Sequence, residues 1–261
     1  MINVKLDIRN RFSEKENIHL QFLALVEDLA RRSVTVKSDE LVCLATLLGL
    51  QLEDFDPYST MVDIYRSLQS IPQDLMFRRQ PRLQAPGLTW APSTFLEAAF
   101  LTFPSDKDSR SGRLSVEGFH VVKDSLLFNK ELKFRRNPSS APEVYIVESS
   151  DGQTFALQSV DFVSPDGTST RVEPSRLISK PAVIWMKTTS TGQFKTTSAA
   201  ILVSRLYEKG GVTYCRFEMD FNGWRVGEAY EDSHKRYLAS SGGIIENVLA
   251  DFVAGKSLCV G

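Results

Sequence analysis

Cysteine and histidine are scarce, with three of each in 261 residues. Cys43, Cys215 and Cys259 are odd in number and far apart, and none has a second Cys or a His at ligand spacing. That excludes a disulfide framework and a structural zinc site as organising features. His19, His120 and His234 offer no His-x-x-x-His or His-Glu-x-x-His spacing, so no metal site is expected. A Gly-x-Ser-x-Gly elbow, a Walker loop and a Gly-x-Gly-x-x-Gly turn are also missing, so no cofactor is expected. No stretch approaches the roughly 20 apolar residues that cross a bilayer. Residues 1–7 lack a basic region followed by an apolar run, so a secretory signal is not expected and a cytoplasmic location is. An excess of positive charge is missing as well: Lys plus Arg number 31 against 32 Asp plus Glu, a net charge of −1. Proteins that bind nucleic acid neutralise phosphates with a cationic surface, so no nucleic-acid partner is expected. The short basic patches Lys133/Arg135/Arg136 and Arg78/Arg79/Arg82 lie beside proline and read as solvated loops.

What is present is an ordinary globular composition, 42% hydrophobic and 24% charged, in a chain long enough to bury a substantial core. The first part, 1–80, reads as helical. Ser13-Glu14-Lys15-Glu16 fits a capping box, and Ile18, Phe22, Leu25, Val26 and Leu29 then recur at steps of three and four. Ser38 is placed to cap a second helix, with Asp39 and Glu40 in its first turn, Leu41, Leu44, Ala45 and Leu48 as its buried stripe, and Gly49 at its end. Cys43 is expected in the core of that helix. A third helix is expected over 59–68, and Ile71-Pro72 either ends it or begins a short new one.

Residues 81–112 read as a connector, punctuated by Pro81, Pro86, Pro92 and Pro104, that packs its aromatics Trp90, Phe95, Phe100 and Phe103. Over 113–230 the period becomes two. Strands are expected at 113–123, 143–148, 154–162, 182–186, 199–204, 212–221 and 224–229. Asp151-Gly152, Asp166-Gly167, Gly210-Gly211 and Asn222-Gly223 would form the turns between them. In 231–261 a last helix is expected after Gly242-Gly243, with Ile245, Val248, Leu249 and Phe252 on one face. The fold class is thus α+β: an N-terminal helical part packed on a C-terminal antiparallel β-sheet or barrel, with a last helix.

The segment from Arg32 to Leu50, with Asp39-Glu40-Leu41-Val42-Cys43-Leu44-Ala45 at its centre, resembles the Asp-Glu-x-x-Cys-Leu-Ala helix found downstream of the HET domain in fungal heterokaryon-incompatibility proteins. Ile71-Pro72, Leu75-Met76-Phe77, Pro81-Arg82-Leu83 and Gly87-Leu88-Thr89-Trp90-Ala91-Pro92 are similar to the Ile-Pro … Gly-x-x-Trp-Ala-Pro signature that follows it there. Ser257-Leu258-Cys259-Val260 resembles that family's Trp-Cys-Val-Asp ending, with Leu258 and Gly261 as departures. The resemblance implies the C-terminal half of such a protein in a stand-alone form. The HET domain's own motifs are not in this chain, so its cell-death signalling and NAD cleavage are not carried over. The resemblance also implies, from some stand-alone relatives of this kind, a place in fungal specialised metabolism, and extends to a norbornene-forming Diels–Alder cyclase of diterpenoid biosynthesis. The function it implies is therefore a cofactor-free cyclase acting on an apolar terpenoid or polyketide intermediate. The alternative is a non-catalytic interaction or sensing module.

Catalysis of that kind needs a confining shape and one or two hydrogen-bond donors. Tyr214, Arg216, Glu218 and Asp220 alternate along one expected strand and share a face; they would orient a carbonyl or carboxylate if that face lines a barrel or cleft, and would be plain surface polarity if it meets solvent. Tyr214, Arg216 and Trp185 are the candidate donors. Phe119, Tyr145, Trp224 and Trp90 are the candidate wall for an apolar ligand, aromatic side chains that would otherwise be ordinary core. Cys215 shares the opposite face with Phe217 and Met219 and reads as core, since no activating base accompanies it. His120 alternates with Phe119 and Val121 and reads as a partly exposed structural histidine.

Overall fold

The computed structural model describes residues 22, 25, 26, 29, 38–50, 60–68, 70–78, 81–96, 111–133, 144–159, 177–185, 198–226 and 245–261. The chain divides into two compact units, Met1–Val116 and Glu117–Gly261. The fold is a β-rich α+β fold. The expected Ser13 capping box, Phe100, Phe103 and the Asp166-Gly167 turn lie outside the described residues.

In the first unit, Phe22, Leu25, Val26 and Leu29 are helical and buried, as the three-and-four spacing expects. Helix α1 (Ser38–Leu48) ends where Gly49 takes a φ of 70°. Leu44 and Ala45 are buried, but Cys43 is exposed beside Val42, so the expectation of a core Cys43 is corrected. The buried stripe is narrower than the run of apolar residues and includes Glu40 instead. Helix α2 (Met61–Ser67) starts after Thr60, whose N–H and hydroxyl both donate to the Asp63 carboxylate, at 2.8 and 3.1 Å. Ile71 and Pro72 form the two-residue strand β1 (Ile71–Pro72), paired with β2 (Ser111–Ser115), and a 3-10 helix, Gln73–Phe77, follows.

The connector packs its aromatics where it is described. Trp90 and Phe95 are both fully enclosed, and Tyr65 meets each edge-on, at 5.7 and 6.3 Å between ring centroids. Arg82 fastens the Pro-rich loop by donating to the carbonyls of Trp90 and Met76. Glu40 reaches from α1 to the segment beyond: one carboxylate oxygen accepts the Thr94 hydroxyl at 2.7 Å and the other the Phe95 N–H at 2.5 Å. These charge-assisted bonds hold a carboxylate that is only 5% exposed.

Burial raises the Glu40 carboxyl above its ordinary value, more than its hydrogen bonds lower it. A raised carboxyl contributes stability that is full below the unfolded value of 4.5 and is lost as pH rises through the folded value. Glu40→Gln is therefore expected to cost most stability at acid pH and less as pH rises above 4.5. Glu40→Ala, which strands buried donors, is expected to cost about 2–3 kcal/mol. Urea unfolding of both variants at pH 4 and pH 7 checks this; a Gln deficit that grows toward pH 7 reverses the sign and sinks it.

The second unit is built of strands. They are β3 (Gly118–Phe128), β4 (Leu132–Lys133), β5 (Val144–Ser149), β6 (Thr154–Ser159), β7 (Leu177–Ile178), β8 (Pro181–Trp185), β9 (Ser198–Lys209), β10 (Val212–Val226) and β11 (Ile245–Val260). Among the described residues the order β3-β11-β5-β6-β10-β9-β8 closes through a β8–β3 pairing, which makes a seven-stranded barrel. Closure leaves no open edge along this ring. Two small residues at Asp151-Gly152 and two at Gly210-Gly211 make the expected hairpin turns β5–β6 and β9–β10.

Four expectations are corrected here. The last helix does not form: 245–260 is the strand β11, paired with β3 on one side and with β5, then β10, on the other. Neighbours on both sides override a helical spacing that β-branched and aromatic residues fit equally well as a strand. The sheet is mixed rather than antiparallel, because β11 runs parallel to β5 and to β10. Asn222-Gly223 is not a turn, since β10 passes straight through it with Gln158 and Leu157 on one flank and Ala199 and Ser198 on the other. The expected strand 113–123 is likewise two strands, broken by a turn at Val116-Glu117.

The barrel interior is a packed core of Leu126, Phe128, Phe155, Val183, Leu202 and Phe221 with their neighbours. Burying side chains of this size contributes about 1.5–3 kcal/mol each. Trp185, Met219 and Phe252 pack against this core but remain partly exposed.

Candidate functional site

Paired residues in a sheet share a face, so the ladders decide what looks inward. Ala200 pairs with Phe221 and Leu202 with Met219, all interior. Val203 pairs with Phe217, and the register then shifts before Met219, leaving Glu218 as an extra residue in β10. A bulge of this kind resets the alternation and re-aims a side chain. Tyr214 and Arg216 therefore do share a face, the inward one, while Asp220, opposite Ile201, is turned to the other. Met219 joins the core, apart from Cys215 and Phe217. The expectation of one continuous polar face from Tyr214 to Asp220 is corrected accordingly, as is that of a shared Cys215/Phe217/Met219 face.

The bulge creates a cluster the sequence did not announce. Glu218 keeps only 3% of its side chain exposed; its Oε1 accepts from the Ser204 hydroxyl and from Arg216, 3.0 Å from Nε and 2.9 Å from Nη2. Arg216 itself is half exposed, and so is the cation of the pair that reaches solvent.

Next to this cluster a row crosses four strands in register: His120, Cys259, Tyr214 and Tyr207. Tyr214 is nearly covered; Tyr207 stacks on it at 4.5 Å and 14°, and His120 meets it edge-on at 6.3 Å. The Tyr214 hydroxyl donates to Glu117 Oε2 at 3.3 Å. Burial, then the Glu117 carboxylate, hold the Tyr214 phenol above its ordinary value, so it is a hydrogen-bond donor across neutral pH. Cys215, one residue on, is buried on the other face, where desolvation pushes its thiol up to about 12; it is not a nucleophile at neutral pH.

Trp185 lies on the same inner face, beside Asp124 and Ala200 in the ladders. It meets Phe155 edge-on at 5.4 Å, and Phe155 stacks on Phe252 at 5.8 Å. Asp124 is four residues from His120 along β3, about 13 Å at the rise of a strand. Trp185 and Tyr214 thus stand on one surface without converging on one atom. Phe119 is fully buried opposite Val260, on the other face of β3 from His120, and does not line this surface. Tyr145 and Trp224 occupy β5 and β10, paired with Leu157 and Ala156; their side chains lie outside the described ones. Trp90 belongs to the first unit, where its Nε1 donates to the Gly87 carbonyl at 3.1 Å, and is an anchor of that unit. Sequence reasoning missed Glu117, Ser204, Tyr207 and Cys259, and only a cross-strand register would have found them.

Comparison of the chain with protein-family models, with curated proteins and with solved structures returned no match. Among the described residues no helix is long and apolar enough to cross a membrane, and no group of three His, Cys, Asp or Glu is gathered as for a metal ion.

Proposed function

We propose that this protein is a cofactor-free cyclase of the pericyclic type, acting in the cytoplasm on an apolar small molecule such as a terpenoid or polyketide intermediate. The observation that carries the reading is one inner face that presents the partly exposed Trp185, Met219 and Phe252 around the buried Phe155 and, further along it, the donors Tyr214 and Arg216. The apolar side chains would confine a folded polyene, and the donors would hydrogen-bond an oxygen conjugated to the reacting alkene. In a cycloaddition of this kind two carbon–carbon σ bonds form at the expense of π bonds. No atom, proton or electron is gained or lost, so the site needs only shape and polarisation.

Removal of the gene from its organism, with metabolites compared by mass spectrometry, is the first test. Loss of one product with accumulation of a precursor of the same mass, converted by the purified protein, supports the reading; an unchanged profile while the gene is expressed overturns it. With that substrate in hand, Tyr214→Phe is expected to lower turnover about 100-fold, the lower end of the loss usual for one transition-state donor. A turnover within twofold of wild type removes Tyr214 from the mechanism.

A second reading, a non-catalytic interaction module, is favoured by Leu206 and Tyr207, adjacent in β9 and each about half exposed at 54% and 50%. It shares the barrel and predicts no converted substrate.

A further inference from the structure

The turn that opens β3 places a carboxylate at the end of the Tyr214 ring. Glu117 stands between the exposed Val116 and Gly118, where an added Cβ would lie 2.6 Å from the Val260 oxygen. Around the Tyr214 ring are Glu117 and His120 from the β3 side, Cys259 from β11 and Tyr207 from β9, while Arg216, two residues along the same face of β10, is paired with Glu218. Of these, Glu117 is the acceptor of the phenol O–H. At 3.3 Å the bond is longer than the usual 2.7–2.8 Å of O–H···O bonds, so it sets the direction of the hydroxyl without holding it tightly.

We infer that Glu117 is a positioning residue for Tyr214: its carboxylate aims the phenol O–H along the inner face in the free protein and is exchanged for an oxygen of the ligand when one binds. This rests on the reading of that face as a ligand site and adds the group that prepares its donor. Tyr207, stacked on the ring, restricts the other degree of freedom, so the hydroxyl is the part left to move. Burial first, and then the carboxylate neighbour, raise the phenol and favour the protonated, donating form.

The test is nuclear magnetic resonance at pH 7 of protein labelled at tyrosine 13Cζ, with Tyr214→Phe assigning the resonance. Glu117→Gln is expected to move the Tyr214 Cζ resonance. Adding geranylacetone, an apolar isoprenoid ketone, is expected to shift the same resonance in the wild type toward its position in Glu117→Gln. A Tyr214 resonance that Glu117→Gln leaves in place, or that geranylacetone leaves in place in the wild type, overturns the inference. The experiment needs no turnover, so its failure is separate from failure of the cyclase reading, which falls on the metabolite comparison.

Discussion

Trp90→Ala is expected to lower the unfolding free energy of the first unit by about 3–5 kcal/mol, the range for removing a fully enclosed large aromatic. The ring has no exposed surface, and Tyr65 presents its edge to it at 5.7 Å. The Trp90 carbonyl is gripped by Arg82, the indole N–H by the Gly87 carbonyl, and Tyr65 donates its own hydroxyl to Pro92 at 3.1 Å, two residues further on. Truncation would leave a cavity and loosen the loop closed by the Leu83–Ala91 and Ser93–Pro81 backbone bonds. Trp90→Phe keeps most of the volume and loses the bond to Gly87, so about half the cost is expected. Urea unfolding followed by circular dichroism reads both; with a slope of about 1–3 kcal/mol per molar, the Ala midpoint should fall by more than 1 M. An Ala variant within 1 kcal/mol of wild type would show that the ring is a lid on empty space rather than an anchor. The result also separates two roles for this tryptophan, since a ligand wall would change binding and leave unfolding nearly untouched.

The strands of the second unit were legible because alternation survives in short segments. The β5 and β6 hairpin sits where Glu143 to Phe162 led one to look, and Gly210-Gly211 turns as its composition demands. What alternation cannot carry is a change of phase. Glu218 in β10, Leu206 in β9 opposite the Tyr214–Cys215 step, and the irregularity between Val253 and Lys256 each insert one residue, and each reverses every assignment beyond it. Alternation therefore puts Asp220 on the wrong side, while Tyr214 and Arg216, before the bulge, share a face as it expects. Strand β11 failed differently: Ile245, Val248, Leu249 and Phe252 satisfy a helical step, and only the flanking β3, β5 and β10 ladders decide against it. In the first unit the segment carrying Asp39-Glu40 and the segment ending in Trp90-Ala91-Pro92 were read separately. Glu40 joins them, through Thr94 and Phe95, across more than fifty residues, a contact no local pattern contains.

Gly118→Ala is expected to cost about 4 kcal/mol and to disturb the Tyr214 neighbourhood without touching it. Its φ of 145° lies where residues with a side chain rarely go, and an added Cβ would come within 2.6 Å of the Val260 oxygen, 2.8 Å of the Val260 carbon and 2.9 Å of the Gly261 nitrogen. All three atoms are backbone, so no rotamer change relieves the clash. Strand β11 has to move instead. That movement would strain the Phe119–Val260 and His120–Cys259 pairings, and the bond from Gly261 N–H to the Cys215 carbonyl that ties β11 to β10. Strained backbone costs about 1–3 kcal/mol and overpacking another 1–3. Gly152→Ala supplies the control, because φ is 79° there and nothing lies within 4 Å of the added carbon, so backbone strain acts alone. A cost for Gly118→Ala at least 1 kcal/mol above that for Gly152→Ala measures the collision, and equal costs would mean that β11 gives way freely. Should β11 give way, the row from His120 to Tyr207 loses its register, and the bond from the Tyr214 hydroxyl to Glu117 is disturbed with it.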